Sequence, residues 1–575
     1  MNILGFWDGH DAGAALIVDG TLVAAVNEER FTRRKLEVAF PRASIRACCE
    51  MAGIGPGDID VAAGCTTDVA KTLARVFPST KEAYYRIRRR KAAPGRWAAL
   101  RKRAKYRITE WSPSALTRAI SAAFAGRALR EAGVAGAAVR LFDHHACHAM
   151  AAADASGFPA CAVITIDGVG DGLASTVSTF SDGRLTRIAA TPARHSPGIF
   201  FEHVTNLLNM RELEDEGKVM ALADYASPVP ESEDPMIGLL TVDGLQFVTA
   251  APGHALLDVL RAVLWRYPNE QFAAMAQRTL ERACEQLARN VVARTGLRCL
   301  ALAGGVASNV KMNRKLRQLP GVDEVFVFPH MGDGGLAVGA ALLAAREQGG
   351  RATMSLDDLG WGPAFADEDI ERVLQDAGVV YSRCPDIPAA VADRLGRGEI
   401  VLWFQGAMEY GPRSLGHRSV LARADCPALR DRLNLVLKRR VWYQPFCPSL
   451  LERDARHLLS DWTGGRANRH MTMAYAVAGS GRAALAGVTS IDGTCRPQIL
   501  DDDAPGPFAS LLREMRRRTG VGAVLNTSFN IHGEPLVCTP AEALRVFDEC
   551  GADALAIGPF LVEPAAGRAA PASFT

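Results

Sequence analysis

The feature that most restricts the fold of this chain is a pattern of three strands and a tight turn that occurs twice. In the first copy, strands are predicted at residues 3–6, 14–18 and 22–26. In the second copy, strands are predicted at residues 161–166 and 175–180, with a third strand ending near residue 189. Each copy contains an Asp-Gly turn, a dipeptide that readily adopts the positive φ angles of a tight hairpin. The repeat predicts a duplicated α/β domain.

Glycine loops between strands and helices indicate a ligand cleft in this domain. Asp167 opens an acidic glycine loop after the first strand of the second copy. Gly304-Gly305 then precede a helix that starts near Ser308 or Asn309, and Asp333-Gly-Gly precedes an alanine-rich helix. Such glycines let a ligand approach the backbone, and helix N-termini favour anions. Sugar kinases, actin and the ATPase of heat-shock chaperones hold a nucleotide between duplicated lobes. The loops therefore predict a nucleotide cleft, with simple strand-to-helix turns as the alternative.

The length of the chain predicts more than one domain. At 575 residues it exceeds what one hydrophobic core organises. Residues 351–388, rich in Gly, Asp and Pro, are predicted to link a domain at 1–350 to a second α/β domain at 389–575.

Two histidines four residues apart form the sharpest local signal. In the sequence FDHHACHA, a helix would place His144 and His148 on one face, within reach of one metal ion. Asp333 from the later loop would complete an N/O coordination sphere suited to Fe, Mn or Zn. Two surface histidines are the alternative, but the preceding strand and following small-residue helix favour the metal. Cys147 points elsewhere and is predicted to be a core residue.

Composition and charge exclude several classes of protein. The net charge is +3 at this length, and the thirteen cysteines include no Cys-x-x-Cys spacing. A reducing compartment fits better than a disulfide framework or a thiolate zinc site. The first residues lack the pattern of a signal peptide, and no uninterrupted apolar segment is long enough to span a membrane. We expect a cytoplasmic protein.

One basic segment stands apart from this neutral background. Residues 86–107 contain eleven Lys or Arg and no acidic residue. Tyr84, Tyr85, Trp97 and Tyr106 could stack on bases if the segment bound nucleic acid. The alternative is a surface insertion that covers the acceptor side of the cleft, and the near-neutral total charge favours it.

The second half of the chain carries clusters of cations, hydroxyls and amides at turns. They include EYGPRSLGHRS, the run Lys438-Arg439-Arg440, DGTCR and NTSFN. Arginine forks and hydroxyl groups held by turns suit phosphate and planar carbonyl groups. In the first loop, His10 is a candidate acid or base, with a capping or turn role left open.

Taken in order, these motifs resemble the O-carbamoyltransferases of natural-product and nodulation-factor biosynthesis. The resemblance covers nearly the whole chain. The matching motifs are GHDAGAALIVDG, NEERFTRRK, FDHHACHA, IDGVGDGLAST, EGKVMALADY, LAGGVASN, PHMGDGGLAVGAA, EYGPRSLGHRS, IDGTCRPQ and NTSFNIHGEPLV.

The resemblance implies both a fold and a reaction. The first domain would be actin-like, similar to the tRNA threonylcarbamoyl-transfer enzyme, and the second would be YrdC-like. Carbamoyl phosphate and ATP, with Mg²⁺, would form carbamoyl-adenylate and pyrophosphate. The carbamoyl group would then pass to a hydroxyl of a small-molecule acceptor, without nucleic acid or membrane. A divalent metal is implied, with Fe²⁺ foremost and Mn²⁺ or Zn²⁺ as alternatives. Monomer and homodimer are both left open.

The resemblance also implies roles for individual residues. His10 and Lys35 would face the acceptor or the carbamoyl group, and the metal ligands would be His144, His148 and Asp333. The nucleotide would be surrounded by Asp167, Gly168, Gly304, Gly305 and Asn309. Carbamoyl phosphate, or the carbamate derived from it, would be held by Arg413, Arg418, Lys438, Arg496, Asn526 and Ser528.

The chain departs from the family pattern at one site. Val441 and Gln444 stand where Glu and Arg are usual, so a plausible ion pair is lost as a whole and no charge is left stranded. Arg439 or Arg440 could replace the missing cation, or the donor could be handled differently. Two rivals remain: a tRNA-modifying enzyme of the threonylcarbamoyl type, and a non-catalytic ATP-binding regulator.

Overall fold

The computed structural model describes residues 1–93, 104, 107–251 and 253–564, and these residues divide into two compact units. Unit 1 comprises Met1–Glu28 and Leu36–Met354. Unit 2 comprises Glu29–Lys35 and the chain from Ser355 onward. The short segment with helix α1 (Glu29–Thr32) therefore belongs to unit 2, although the sequence placed it in the first domain. Most of the predicted linker also belongs to unit 2.

Unit 1 contains two five-stranded sheets and a separate hairpin. The first sheet has the order β3-β2-β1-β4-β5, with β1 (Asn2–Trp7), β2 (Gly13–Val18), β3 (Thr21–Asn27), β4 (Val61–Cys65) and β5 (Ala138–Phe142). The second has the order β12-β11-β6-β7-β8, with β6 (Ala160–Gly170), β7 (Leu173–Ser181), β8 (Arg184–Pro192), β11 (Cys299–Ala303) and β12 (Glu324–Val327). The hairpin is β9 (Leu240–Asp243) and β10 (Gln246–Thr249).

The two sheets have the same topology. In each, three antiparallel strands are followed by two strands that extend the sheet in parallel. Both predicted Asp-Gly turns have positive φ angles, 47° and 80° at Asp19-Gly20 and 51° and 74° at Asp182-Gly183. The duplication predicted from the turn pattern is therefore present in the strand order.

Along the chain, the helices of unit 1 that the structure describes alternate with the strands of the two sheets. They are α2 (Arg42–Met51), α3 (Val69–Val76), α4 (Pro78–Arg88), α5 (Ala115–Glu131), α6 (His144–Ser156), α7 (Pro197–Leu207), α8 (Glu216–Leu222), α9 (His254–Leu264), α10 (Asn269–Thr295), α11 (Val310–Arg317) and α12 (Leu336–Glu347).

Helices α6 and α12 form the centre of unit 1. Helix α6 packs on β6 and β11, α12 packs on β1 and β4, and the two helices pack against each other. Gly339 of α12 permits this contact, since a Cβ there would lie 2.0 Å from the carbonyl oxygen of Cys147. Cys147 is fully buried, as predicted. The close approach brings the start of α6 next to the loop that leads into α12.

One predicted loop is a strand in the structure. Strand β6 continues from Ala160 to Gly170, with a register shift after Ile166, and the hairpin turns only at Asp171-Gly172. Asp167 therefore projects from a strand rather than from a flexible loop.

Unit 2 is built on an eight-stranded mixed sheet with the order β13-β22-β21-β14-β15-β20-β16-β19. Its strands are β13 (Tyr381–Arg383), β14 (Val401–Phe404), β15 (Arg418–Ala422), β16 (Cys447–Leu451), β19 (Gln498–Leu500), β20 (Ala523–Ser528), β21 (Ala554–Ile557) and β22 (Phe560–Val562), beside the small pair β17 (Tyr475–Ala476) and β18 (Thr494–Cys495). Its longer helices are α13 (Asp367–Asp376), α14 (Ile387–Gly396), α15 (Pro427–Arg432), α16 (Glu452–Leu458), α17 (Pro507–Thr519) and α18 (Pro540–Cys550).

The core of unit 2 lies between this sheet and helices α14 and α17. Trp403, Leu421 and Val524 from the strands pack with Val391 and Leu511 from the helices. The predicted second α/β region is thus an α/β unit. None of the helices in the described ranges has the combination of length and hydropathy that crossing a membrane requires.

Candidate functional site

Four buried side chains in unit 1 converge on one point. One nitrogen or oxygen atom from each of His144, His148, Asp167 and Asp333 lies within 4.8 Å of all the others. The Nε2 atom of His144 is 3.1 Å from Asp167 Oδ2 and 3.7 Å from Asp333 Oδ1. The Nε2 atom of His148 is 3.9 Å and 3.6 Å from the same two oxygens. Ligand atoms about 2 Å from a shared ion would have such separations.

Three different elements position these side chains. His144 and His148 lie one turn apart at the start of α6, which Asp143 caps by accepting a hydrogen bond from the backbone N–H of Ala146 at 2.8 Å. Asp167 projects from β6, and Asp333 lies in the short turn before α12. The spacing of four residues that predicted two imidazoles on one helix face is confirmed.

Polar groups around the cluster orient His144. Its Nδ1 atom lies 3.0 Å from Thr66 Oγ1, which leaves Nε2 directed at the carboxylates. Its backbone N–H donates to Asp171 Oδ2 at 2.8 Å, while Oδ1 of Asp171 accepts from the N–H groups of Thr67 and Asp68. Asp171 thus ties the start of α6 to the loop after β4. Partners of this kind fix the tautomer and direction of a metal-binding imidazole.

The cluster has the chemistry of a metal site. His148 Nε2 is buried and makes no hydrogen bond to any residue in the described part of the chain. Burial lowers the pKa of His144, but Asp333 and Asp167 outweigh burial and raise it to about 10. This raised pKa reflects the two buried carboxylates, whose negative charges are unfavourable unless positive charge lies between them. Two imidazole nitrogens and two carboxylate oxygens suit a first-row divalent cation.

Asp167 was predicted to lie beside the nucleotide, and the structure places its side chain in the cluster with the three residues predicted as metal ligands. Its second oxygen accepts a hydrogen bond from the backbone N–H of Gly305 at 2.9 Å. Its membership of the cluster was not predicted, because the sequence was interpreted as a loop at the position where β6 continues.

His10 lies beside the cluster. Its Nδ1 atom is 3.4 Å from Asp333 Oδ2 and 3.2 Å from the hydroxyl of Tyr85, whose ring is 5.2 Å away between centroids. Burial lowers the pKa of His10 to about 4, against the opposing effect of Asp333 and Asp167. A neutral imidazole can accept a proton. Tyr85 was not predicted as a site residue. Lys35, predicted alongside His10, belongs to unit 2 and is half-buried there.

The glycines predicted to surround a nucleotide lie next to Asp167. Gly304 has a φ of 94°, and a Cβ there would lie 2.3 Å from the carbonyl oxygen of Ile166. The carbonyl of Gly168 accepts a hydrogen bond from Ser196 Oγ at 2.6 Å, and Gly305 approaches Asp167 as described. The absence of a side chain at Gly304 therefore lets its backbone pack against the end of β6 beside Asp167.

Asn309, predicted to surround the nucleotide, lies at the start of α11. Its Oδ1 atom caps α11 by accepting from the N–H of Met312 at 3.1 Å, and it also accepts from Gln277 at 3.0 Å. Its Nδ2 atom donates to Gln277 Oε1 at 2.8 Å. The buried side chain therefore holds the start of the helix.

Unit 2 contains a separate group of cations. The Nε and Nη2 atoms of Arg496 point at Cys447 Sγ, at 3.2 and 3.1 Å. Desolvation and the charge of Arg496 lower the pKa of Arg413 to about 9. Desolvation and Arg496 also lower the pKa of Arg440 to about 9. Arg413 Nε and Arg440 Nη2 are buried without hydrogen-bond partners among the described residues.

These three arginines, Arg413, Arg440 and Arg496, form what we call the arginine pocket. No carboxylate is among the charges that act on Arg413 or Arg440. Excess buried positive charge with unused donors suits a phosphate or carbamate group. Of the two cations considered as substitutes for the missing family arginine, Arg440 lies in the pocket, while Arg439 is exposed.

Three residues predicted to hold carbamoyl phosphate make internal contacts in the structure. Arg418 is fully buried over the Phe404 ring and donates to main-chain carbonyls, including those of Gln405 and Pro363. Asn526 is saturated by hydrogen bonds to side chains and carbonyls of neighbouring segments, those of Ser414, Ser449 and Gln498. Lys438 donates to the carbonyl of Ser528 and to Asn530.

Ser528 follows the same pattern as these residues. Its hydroxyl donates to Asn530 Oδ1 at 2.8 Å, and its carbonyl accepts from Lys438. Strand β20 continues through residues 526–528 and ends at Ser528. Lys438 therefore fixes the end of β20. The sequence identified the polar residues of this motif. It could not distinguish side chains that make internal hydrogen bonds from side chains that are available to a ligand.

The described part of the basic segment is paired with carboxylates. Arg88 contacts Glu202 and, at 2.6 Å, Glu212, while Arg89 lies 2.7 Å from Glu214. These contacts contradict a free nucleic-acid patch at this end of the segment. Trp97 and Tyr106, together with most of residues 94–106, lie outside the described residues.

The fold and these residues define a two-unit α/β protein with a buried cluster of histidines and aspartates in unit 1 and a cluster of arginines in unit 2. The family model for the carbamoyltransferase N-terminus matches residues 2–342, and the model for the carbamoyltransferase C-terminus matches residues 392–564. The chain belongs to the carbamoyltransferase family.

Curated relatives support this assignment. The chain is 31% identical to nodulation protein NolNO of Sinorhizobium fredii (strain NGR234) over 566 residues, which cover 96% of this chain and 79% of the relative. It is 33% identical to nodulation protein NolO of Bradyrhizobium diazoefficiens over 430 residues, 73% of this chain and 78% of that protein.

Likeness to solved structures is weaker. Full-length HypF in a phosphate- and nucleotide-bound form matches with 13% sequence identity and a TM-score of 0.36, over 61% of this chain and 56% of HypF. A similarity of this size carries no argument about the site.

Proposed function

We propose that this carbamoyltransferase makes carbamoyl-adenylate from carbamoyl phosphate and ATP and transfers the carbamoyl group to a hydroxyl of a small-molecule acceptor. In this proposal unit 1 is an actin-like transfer domain and unit 2 a YrdC-like domain for carbamoyl phosphate. Water first releases phosphate from carbamoyl phosphate. The resulting carbamate attacks the α-phosphorus of ATP, held with Mg²⁺, and pyrophosphate leaves.

The arginine pocket supports the first step. Carbamoyl phosphate and ATP both carry negative charge, so bringing them together is costly without nearby cations. Arg413, Arg440 and Arg496 offer such charge with unused donors. In the proposed role they bind the phosphate of carbamoyl phosphate and orient the carbamate that remains.

His10 and the buried cluster support the second step. His10 is neutral and accepts the proton of the acceptor hydroxyl, whose oxygen bonds to the carbamoyl carbon as AMP leaves. Gly304 and Gly305 let the adenylate approach the backbone beside Asp167. His144, His148, Asp167 and Asp333 would hold a divalent cation, Fe²⁺ foremost, which supplies Lewis-acid polarisation of the carbamoyl oxygen.

The observation that carries this proposal is the convergence of the four ligand-type side chains next to His10, in a chain whose family transfers carbamoyl groups. Exchange of labelled pyrophosphate into ATP tests it. We expect exchange that requires carbamoyl phosphate. Absence of exchange with the metal-loaded full chain would instead indicate a non-catalytic ATP-binding protein.

A further inference from the structure

A cavity of about 360 Å³ lies in unit 1, and Asp8 of the β1–β2 loop is among the residues that line it. One part of its wall is apolar and comes from Val38, Phe40, Phe124 and Ala128. The charged residues that line the cavity are Asp8, Arg42, Arg75, Lys81, Arg127 and Glu131. A cavity with one apolar and one charged wall suits an amphipathic small molecule.

The charged wall carries more positive than negative charge. Asp8 Oδ1 lies 2.7 Å from the ammonium of Lys71, and Asp8 Oδ2 lies 2.8 Å from Arg75 Nε. The ammonium of Lys81 donates to the main-chain carbonyl of Asp8, not to its carboxylate. Three cations therefore share one carboxylate, and all four side chains are largely withdrawn from water.

Of these three cations, Lys81 is the one whose ammonium makes no ion pair with a carboxylate among the described residues. Arg75 satisfies its remaining donors with the carbonyls of Cys65 and Thr66, at 2.9 and 2.7 Å. Within the described ranges, the Asp8 carbonyl is the one hydrogen-bond acceptor recorded for the Lys81 ammonium. An ammonium has three donors, and burying excess charge is unfavourable unless an anion balances it. Arg127, by contrast, is paired with Glu131 at 3.0 Å.

This wall is connected to the proposed base through helix α4. Lys81 and Tyr85 lie four residues apart on one face of α4. Lys81 contacts the carbonyl of Asp8, and Tyr85 contacts the ring of His10, two residues further along the same loop. A ligand group bound at Lys81 therefore lies beside the loop that carries His10.

We propose that this cavity binds an anionic group of the acceptor, so that the acceptor is a hydroxylated small molecule with a carboxylate or phosphate ester next to an apolar portion. The inference rests on the proposed function and extends it by naming the acceptor class. Lys81 binds the anionic group, Arg75 adds positive charge beside it, and the wall with Phe40 and Phe124 packs on the apolar portion. The hydroxyl then reaches the neighbourhood of His10.

Calorimetric titration of the full-length protein with three simple probes tests the binding site. The probes are phenyl phosphate, benzoate and benzyl alcohol, which share a ring and differ in charge. The variant is Lys81→Met, which keeps the aliphatic chain and removes the charge. The matched control is Arg127→Met. It removes from the same cavity a cation that already forms an ion pair with Glu131. Lys81→Arg retains the charge and serves as a rescue.

We expect at least one anionic probe to bind and benzyl alcohol not to bind. Lys81→Met should weaken anion binding by about ten- to a hundredfold, the value of one charge-assisted hydrogen bond. Arg127→Met should change it by less than about threefold, and Lys81→Arg should restore it. Comparing benzoate with phenyl phosphate identifies which anion the site prefers. Equal weakening in both methionine variants, or binding of benzyl alcohol alone, overturns the inference.

Two further results separate this inference from its alternatives. If a non-hydrolysable ATP analogue displaces phenyl phosphate, the cavity serves the nucleotide and the acceptor assignment is wrong. If pyrophosphate exchange is present but no anion binds, the inference fails while the proposed function stands. If anions bind as expected but exchange is absent, the proposed function fails, and with it the assignment of the anion to an acceptor.

Discussion

At the scale of single residues, uncompensated charge marks both candidate sites. In unit 1 two carboxylates, Asp167 and Asp333, face two imidazoles in a buried cluster. In unit 2 three guanidinium groups gather around Cys447 without a carboxylate acting on Arg413 or Arg440. Buried groups of one sign destabilise a fold unless a ligand balances them, so such clusters are typical of binding sites.

Arg440 provides the first test at this scale. Arg440→Met keeps an unbranched apolar side chain but removes the guanidinium, whose central carbon lies 4.2 Å from the centroid of the Phe446 ring. We expect the KM for carbamoyl phosphate in pyrophosphate exchange to rise about ten- to a hundredfold, because one charge-assisted contact is lost. Thermal unfolding should not occur at a lower temperature, since repulsion with Arg496 is relieved.

The neighbouring residue supplies the control for Arg440. Arg439 is exposed, so Arg439→Met should change the KM by less than about threefold, as is usual for surface charges. Equal effects of the two substitutions would show that the arginine pocket does not bind the donor.

Glu216 provides a test of pH dependence. Burial and the charge of Glu202 raise its pKa from 4.5 to about 8, against the effect of the Leu213 N–H. Between these two pH values the folded chain binds a proton that the unfolded chain lacks, so this group makes stability fall as pH rises. Glu216→Gln should remove that contribution. Melting temperatures of the two proteins should diverge from pH 5 to pH 8, with the variant more stable at the higher pH.

A constant difference between Glu216→Gln and the parent protein over this range would contradict the assignment. Glu231→Gln is a suitable control, because Glu231 is exposed and the pKa of its carboxyl is lowered by Arg282 rather than raised.

At the scale of elements, the contact between α6 and α12 decides whether the cluster forms. Helix α6 carries both histidines, and Asp333 precedes α12 directly. The helices approach closely because Gly339 has no side chain. Helix α4 has a comparable role, because Lys81 and Tyr85 contact the β1–β2 loop and Arg88 contacts Glu212.

Gly339→Ala tests the importance of the helix contact. A Cβ at Gly339 would lie 2.0 Å from Cys147 O, so α6 and α12 must separate. We expect a loss of about 3 kcal/mol in the free energy of unfolding, measured with denaturant, and a lower content of bound metal. Gly217→Ala in α8 is the control, because a Cβ there meets no atom within 4 Å. A stable, metal-binding Gly339→Ala protein would show that the helices can adjust.

At the scale of the whole molecule, the two units are not continuous in sequence. Residues Glu29–Lys35 belong to unit 2, where Arg33 donates to the carbonyls of Pro535 and Leu536. Each unit has its own β-sheets and its own candidate site. We therefore expect the two proposed steps to respond separately to substitutions.

His148→Ala tests this separation. Removing one ligand should lower bound metal, measured by elemental analysis, at least about tenfold, while carbamoyl phosphate-dependent exchange stays within about threefold of the parent protein. Carbamoylated products in a screen of hydroxylated metabolites should disappear. His457→Ala, at an exposed position of α16, should change none of these. Loss of exchange in His148→Ala would mean that the assignment of steps to units is wrong.

The sequence by itself determined the features that depend on local periodicity. The Asp-Gly turns, the strands of both copies and the imidazole pair on α6 were all predicted, because each depends on residues close together in the chain. The duplication followed from these local patterns, and the order of the two sheets confirmed it. The side chains of His144, His148 and Asp333, predicted as metal ligands, lie together in the structure.

Only the tertiary structure decided how polar side chains are used. Asp167 joined the metal-type cluster because β6 continues past Ile166, and Arg440 entered the arginine pocket through the path of the chain after Lys438. Arg418 and Asn526 turned inward to carbonyls and amides. A motif fixes which polar groups are present, but whether they face a ligand or the core depends on partners far away in sequence, which satisfy buried hydrogen bonds.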